Sequence, residues 1–346
     1  MIVDDSVVAR AVLSRMIESD GGFEIAAVAA SAEDAIDSLQ AVKVDTVVLD
    51  LQMPGAGGLR SIPRILEVAD GARVMIVSSL AEDGAEETMA ALALGATDAL
   101  PKPGASRFNG RFSEVLLARL KALGYADRQQ PIAAAFPDLQ PVRWPLRAMP
   151  HEPIQLLAVG ASTGGIHALS ILFQSLPRII GAPILVTQHL PSLFMPVFAR
   201  QLAVAAQRET LVAEDGMRLL PDRIILAPGD AHISLVSDLS GPVVKLVREP
   251  VPSGCMPSLD PMLEAAGSMF GSAALGVVLT GMGRDGVRGA ARLVGSGGAV
   301  IAQDEATCAV WGMPRAVAEA GLCSAVIPPE KIARRIASRV REELCR

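Results

Sequence analysis

The chain has 346 residues, of which 51% are hydrophobic and only 3% aromatic, and it carries a formal net charge of −6. That length exceeds a single typical core and fits two domains. With so few rings, the cores must be layers of Ala, Val, Leu, Ile and Met rather than an aromatic-rich β-sandwich. The acidic balance argues against nucleic acid as the main partner, because phosphate neutralisation needs a basic face. A mean hydropathy of +0.39 raises the question of a membrane. No stretch approaches the ~18 uninterrupted apolar residues that a spanning helix needs. Met1 to Arg10 holds two acids where a signal peptide would carry a basic and then an apolar region. A cytoplasmic protein without membrane insertion is therefore expected. Cys255, Cys308, Cys323 and Cys345 show no metal-binding spacing and are expected to be reduced thiols.

In chain order, short β-rich runs at Met1–Val3, Glu24–Ala29, Thr46–Leu49, Arg73–Val77 and Thr97–Leu100 alternate with amphipathic stretches such as Val7–Ser19 and Ala32–Leu39. That alternation is the pattern of parallel βαβ units and predicts a compact doubly wound sheet of five strands. The first run is short for a strand, so a few residues are expected to be missing ahead of it. Between Gly124 and Pro153 the pattern collapses into recurring prolines, which predicts a semi-extended linker over 124–153. Alternation resumes at Leu156–Gly160, Pro183–Gln188, Arg223–Ala227, Val243–Val247, Leu275–Thr280 and Ala299–Gln303. Asp260-Pro261 signals a helix start, with the acid as cap, and Ile332 to Leu344 reads as a terminal helix. The expected fold class is α/β: two doubly wound domains with mainly parallel sheets, over 1–123 and 154–346, the second larger and Rossmann-like.

Ligands of parallel sheets gather beyond the carboxyl ends of the strands. In the first domain those ends carry Asp4 and Asp5, then Asp50, Ser78 and Lys102. Clustered carboxylates repel one another unless a cation neutralises them, and Mg²⁺, hard and oxygen-seeking, suits such a site. With that charge balanced, Asp50 can attack a phosphoryl donor and become an aspartyl phosphate. Singly, Asp4 or Asp5 reads equally well as a helix cap and Lys102 as a solvated loop lysine. Val3-Asp4-Asp5-Ser6, Leu49 to Pro54, Val77-Ser78-Ser79 and Pro101-Lys102-Pro103 together resemble a response-regulator receiver domain. The resemblance implies that Asp50 is the phosphoacceptor and that Asp5, Asp50 and the Gln52 carbonyl ligate Mg²⁺. It also implies that Asp4 acts through a metal-bound water and that Ser78 and Lys102 grip the phosphoryl oxygens. Ala99 stands where such domains usually carry an aromatic switch residue, a departure from the pattern.

In the second domain, Ser162 follows a buried-strand pattern and precedes a helix, in Ala161-Ser162-Thr163-Gly164-Gly165. A turn of that kind exposes a hydroxyl beside unpaired N–H groups, although a serine there can simply cap the helix. His189 ends the next strand, and Asp285 lies just past Leu275–Thr280. Serine needs a base to take its proton, and the base needs an acid to fix its tautomer. A rival reading takes Gly281-Met282-Gly283-Arg284-Asp285-Gly286 as a dinucleotide fingerprint with Asp304 on a ribose. It comes late in its domain and leaves Ser162 and His189 unexplained. His151, His167 and His232 read as surface or structural residues.

Six stretches carry a further likeness: Val159 to Gly165, Thr187-Gln188-His189, Ala227 to Asp230, Leu279 to Gly286, and Ala302 to Glu305 with Gly312 to Arg315. Together they resemble the catalytic domain of the chemotaxis-specific protein-glutamate methylesterase family. That resemblance implies that Ser162 attacks the methyl ester of a glutamate on a chemotaxis receptor, with His189 as base and Asp285 orienting it. Backbone N–H groups of Met282 and Thr163 would hold the oxyanion, no cofactor would be needed, and the same chemistry would deamidate glutamine. The implied partners are the cytoplasmic helices of methylated receptors and a chemotaxis histidine kinase as phosphodonor; nothing demands more than a monomer. The unphosphorylated receiver is expected to block the hydrolase, and phosphorylation of Asp50 to relieve the block. A non-catalytic receptor-binding module on the same fold remains an alternative, and no basic helix-turn-helix supports a transcription regulator.

Overall fold

The computed structural model describes residues 1–79, 82–102, 110–128, 144–239 and 241–340. The chain divides into two compact units, Met1–Gln140 and Pro141–Arg346.

The first unit is a parallel sheet of β1 (Ile2–Val3), β2 (Val28–Ala29), β3 (Thr46–Leu49), β4 (Arg73–Ser79) and β5 (Asp98–Lys102). Its spatial order is β2-β1-β3-β4-β5. Helices α1 (Val7–Glu18), α2 (Ala32–Ala41), α3 (Gly57–Val68), α4 (Glu82–Ala93) and α5 (Gly110–Arg128) connect and follow the strands. The apolar run expected to pair over Glu24–Ala29 pairs only at Val28 and Ala29. Ser6 caps α1 with its hydroxyl toward the Ala9 N–H. Asp4 is therefore not the helix cap; its Oδ1 instead accepts the Ser6 N–H at 2.9 Å.

The second unit has a seven-stranded parallel sheet built from β6 (Leu156–Ala161), β7 (Ile184–Gln188), β8 (Thr210–Val212), β9 (Ile224–Leu226), β12 (Ala274–Val278), β13 (Ala299–Gln303) and β14 (Ala325–Ile327). Its order, β14-β13-β12-β6-β7-β9-β8, reverses direction between β6 and β12. The reversal opens a crevice at the strand ends, where ligands of such sheets bind. Every residue of β6, β7, β12 and β13 is buried. Strands covered on both faces read as continuous apolar runs, which is why these four are plain in the sequence. Flanking helices are α6 (Gly165–Ser175), α7 (Met195–Ala206), α8 (Leu259–Phe270), α9 (Val287–Gly295), α10 (Met313–Glu319) and α11 (Pro329–Ala337). Leu156, Leu185, Leu259, Leu263, Leu293 and Met313 are fully buried members of one core cluster. Each such side chain stabilises the fold by about 1.5–3 kcal/mol through burial.

Several expectations are corrected here. Val243–Val247 is not a strand of the parallel sheet; it belongs to β11 (Gly241–Val247), which pairs antiparallel with β10 (His232–Asp238) in a separate hairpin. Helix α8 is capped by Ser258, whose hydroxyl accepts the Asp260 N–H, so Asp260 sits in the first turn rather than at the cap. The terminal helix begins at Pro329 and ends at Ala337, earlier at both ends than the stripe to Leu344 suggested; Leu344 and Cys345 lie outside the described residues. Across the expected linker, α5 runs to Arg128 and residues 129–143, with Pro131, Pro137 and Pro141, lie outside the described residues. Further on, Trp144 packs edge-on against Trp311, with ring centroids 6.2 Å apart, and the Arg147 N–H donates to the Cys323 carbonyl at 2.9 Å.

Candidate active site

In the first unit the predicted acids converge. Asp4, Asp5 and Asp50 each place a carboxylate oxygen within 4.8 Å of the others. Lys102 Nζ lies 2.7 Å from Asp4 Oδ2 and 2.6 Å from Asp50 Oδ2. Burial alone would lower the lysine pKa, but its hydrogen bonds to Asp4 and Asp50 hold the ammonium above the ordinary lysine range. Asp50 Oδ1 accepts the Gln52 N–H at 3.3 Å. Asp5 is exposed and forms no ion pair among the described residues. The Ser78 hydroxyl is buried and has no hydrogen-bond partner among the described residues. One lysine against three carboxylates leaves negative charge over, and an all-oxygen donor set fits a hard divalent cation such as Mg²⁺. Pro103 lies outside the described residues.

In the second unit, Ser162 follows β6 and precedes α6. Its N–H donates to the Thr280 carbonyl at 3.0 Å and its carbonyl accepts the Gly165 N–H at 2.8 Å, closing a tight strand-to-helix turn. Gly164, at φ 74°, is the cap residue of α6 and no side chain caps that helix. A side chain at Gly164 would place its Cβ 2.3 Å from the Ala309 Cβ. The Ser162 hydroxyl is thus not spent as a cap, and it makes no hydrogen bond among the described residues.

His189 directly follows β7, which pairs with β6 so that Ala161 faces Gln188. The His189 N–H donates to the Ala161 carbonyl at 3.1 Å, which makes Ser162 and His189 next-door neighbours beyond two adjacent strand ends. The imidazole Nε2 lies 2.9 Å from Asp285 Oδ2. A carboxylate only accepts, so Nε2 carries the proton and Nδ1 keeps its lone pair. The ring is used in the reverse sense of the familiar triad, in which Nδ1 faces the acid. No hydrogen bond joins the Ser162 hydroxyl to His189 here; catalytic hydrogen bonds are often long before substrate binds.

Asp285 is 2% exposed. Besides His189, its Oδ2 accepts the Leu259 N–H at 2.7 Å and its Oδ1 accepts the Ser258 hydroxyl at 2.5 Å. Burial alone would raise its pKa; the bond and charge of His189, with these two donors, hold it below the usual carboxylate range. The Cys255 thiol lies within 4.8 Å of donor atoms of His189 and Asp285. Burial and the Asp285 charge push that thiol up, away from the thiolate a metal would need. With both Asp285 oxygens already filled by N–H and O–H donors, this cluster is an occupied hydrogen-bond network rather than a metal site.

The loop after β12 completes the crevice. Gly281 lies so close to Ser162 that a Cβ there would come within 2.7 Å of the Ser162 Cβ. Met282 is 37% exposed, and its N–H makes no hydrogen bond among the described residues. Thr163 is buried, and its carbonyl accepts the Thr280 hydroxyl at 2.9 Å. The dinucleotide reading fails on this geometry, because Asp285 turns inward to His189 and Gly281 abuts the serine. His151 and His167 are exposed, as expected. His232 is fully buried at the start of β10, and Ser258 is fully buried beside Asp285. Sequence reasoning missed Ser258; its position just ahead of the Leu259–Phe270 apolar stripe was the available signal.

An acidic pocket at one sheet's switch point, and serine, histidine and aspartate at the other's, define a receiver-linked α/β hydrolase. The family descriptions agree: CheB methylesterase matches residues 157–336 and response regulator receiver domain matches residues 1–108. The chain belongs to the CheB methylesterase family. It is 41% identical over 345 residues to protein-glutamate methylesterase/protein-glutamine glutaminase 2 of Caulobacter vibrioides, covering 99% of this chain and 98% of that one. The Azospirillum brasilense protein-glutamate methylesterase/protein-glutamine glutaminase is 37% identical over 364 residues, covering 98% and 92%. The crystal structure of the Thermotoga maritima CheB methylesterase catalytic domain superposes with a TM-score of 0.53 at 35% identity, covering 54% of this chain and 99% of that one. Among the described residues no helix is long and apolar enough to cross a membrane.

Proposed function

We propose that this chain removes the methyl group from glutamate γ-methyl esters on the cytoplasmic helices of chemotaxis receptors, and deamidates glutamines there, under control of phosphorylation at Asp50. The observation that carries the hydrolytic reading is the pairing of His189 Nε2 with buried Asp285, one strand end away from a Ser162 hydroxyl that no other group uses. Ser162 Oγ attacks the ester carbonyl while His189 Nδ1 takes the hydroxyl proton, and Asp285 steadies the imidazolium. The tetrahedral oxyanion faces the Met282 N–H, with the Thr163 N–H as second donor. One such donor is worth about 3 kcal/mol in the transition state. Collapse breaks the C–O bond to methanol, which leaves with the proton from Nδ1. Water then attacks the acyl-enzyme, His189 takes its proton and returns it to Ser162 Oγ, and glutamate is freed. With a glutamine substrate the first leaving group is ammonia.

At the receiver, Asp50 accepts the phosphoryl group from a chemotaxis histidine kinase. Asp4, Asp5, Asp50 and the Gln52 carbonyl would hold Mg²⁺, which supplies positive charge against the phosphoryl oxygens. Lys102, now paired with Asp4 and Asp50, and the unpartnered Ser78 hydroxyl are the protein's own groups for those oxygens. The reactions belong to the cytoplasm, where both the kinase and the receptor helices lie.

The direct test is methanol release from methylated receptor membranes by wild type and Ser162→Ala. Loss of release in the variant is the expected result. A variant that still releases methanol at the wild-type rate would sink the hydrolytic reading.

A further inference from the structure

The buried contacts behind Asp285 form a chain that the hydrolytic chemistry does not by itself require. Ser258 is fully buried, and its hydroxyl donates to Asp285 Oδ1 at 2.5 Å while accepting the Asp260 N–H at 3.2 Å. Its backbone N–H in turn donates to His232 Nδ1 at 2.8 Å. The other ring nitrogen of His232, Nε2, lies 3.1 Å from the Glu249 carbonyl. A carbonyl only accepts, so Nε2 carries the proton and Nδ1 is the acceptor that Ser258 needs; the tautomer is fixed at both ends. His232 is also fully buried, in the hairpin β10–β11 that lies outside the seven-stranded sheet. The hairpin therefore reaches the reaction site through two residues that touch no reacting atom.

We infer that Ser258, seated by His232, is the positioning residue for the hydrolase acid: it fixes the Asp285 carboxylate so that Oδ2 meets His189 Nε2. The inference rests on the triad reading above. Two physical reasons favour it. A buried carboxylate with a charge-assisted bond on each oxygen cannot rotate away from the imidazole without stranding a donor. A hydroxyl donor on Oδ1 also draws charge from the carboxylate, which moderates its pull on the His189 proton and so tunes the base. The titratable groups around Asp285 among the described residues are His189, Cys255 and Asp260. Helix α8 contributes Asp260 and the segment before it contributes Cys255.

The test compares full-length Ser258→Ala, His232→Leu, His232→Asn and Asp285→Asn with wild type. Each is read as kcat, KM and the pH profile of kcat/KM for methanol release. Circular dichroism and a cooperative urea transition matching wild type report that the second unit of each variant is folded. Ser258→Ala should lower kcat about tenfold or more, the scale of one lost charge-assisted hydrogen bond, with KM little changed. Its acid limb should move to higher pH, because Asp285 then holds the His189 proton more strongly. His232→Leu should behave likewise, whereas His232→Asn should recover most of the turnover, since its side-chain oxygen can replace Nδ1 as acceptor. A combined Ser258→Ala, Asp285→Asn chain should be no slower than Asp285→Asn alone. An unmoved acid limb in Ser258→Ala, or equal losses in His232→Asn and His232→Leu, overturns the positioning role. If Ser258→Ala does not fold, the two His232 variants decide alone. Wild-type turnover in Asp285→Asn would instead remove the triad reading, a separate failure.

Discussion

The two sites occupy the same place in the same kind of sheet and treat charge in opposite ways. In the first unit, Asp4, Asp5 and Asp50 converge, and among the described residues Lys102 is the one cation paired with them, so the cluster keeps a net negative charge. In the second, both oxygens of Asp285 already accept bonds from the protein's own donors, His189, Ser258 and Leu259. A site that must gain and lose a group is left short of charge, whereas one that must turn over repeatedly is preorganised before substrate arrives. Topology fixes where chemistry happens, while the donors around one carboxylate decide what kind it can be.

The two sites differ most in their nucleophiles. Ser162→Ala should cut methanol release by about a thousandfold or more while Asp50 still takes phosphate from a small phosphodonor. A parallel fall in phosphate uptake would show that the two sites are not separable in this way. Next in size is Asp50→Asn, which should abolish the response of hydrolysis to phosphodonor, so that the ratio of stimulated to unstimulated rate falls to about one; the response can never exceed the phosphoryl group's differential stabilisation of the two states. A preserved ratio would place the switch elsewhere. Ala99 offers no ring to a rotamer switch; its carbonyl accepts from Arg119, which also pairs with Asp98 at 2.8 Å.

Preorganisation of Ser162 depends on the close approach of Gly281. Gly281→Ala should slow turnover by roughly ten- to a hundredfold, since a displacement near one ångström can cost that much. The added Cβ would meet the Met313 sulfur at 2.6 Å and the Ser162 Cβ at 2.7 Å. The methionine can yield but the serine backbone, tied to Thr280, cannot yield without moving the nucleophile. Unchanged kcat in a folded Gly281→Ala chain would show that Ser162 tolerates displacement.

What the sequence made legible follows from burial and period. Strands β6, β7, β12 and β13 are covered on both faces, so their apolar runs stand out, and the residues just past them gave Ser162, His189 and Asp285. The edge strands β8 and β14 are three residues long, too short for any period to show. Val243–Val247 has the composition of a core strand yet pairs antiparallel in the hairpin, because pairing direction is set by the partner rather than by local preference. The supports of Asp285 were hidden for a different reason. Ser258 and His232 are distant in sequence from Asp285 and from each other, and nothing in a lone serine or histidine says which buried acid it will meet.

The smallest expected effect concerns stability, and it separates the two sites by the sign of their titrations. Asp285 has its pKa lowered in the folded chain, despite burial that would raise it, by His189, Leu259 and Ser258. A carboxyl with a depressed folded pKa adds stability that is present above its unfolded value, about 3.9, and is lost as pH falls through the folded value. Lys102 has the opposite sense: its folded pKa is raised, so its contribution is complete below about 10.4 and fades as pH rises through the folded value. Urea unfolding should therefore show the Asp285→Asn deficit in the second unit as constant from neutral pH to about pH 5 and shrinking below about pH 4. The first unit should lose stability at the alkaline end instead. If the Asp285→Asn deficit stays constant down to pH 3, the carboxylate is not drawing its stability from the donors that surround it, and the contrast between a filled acid and an open cluster loses its energetic basis.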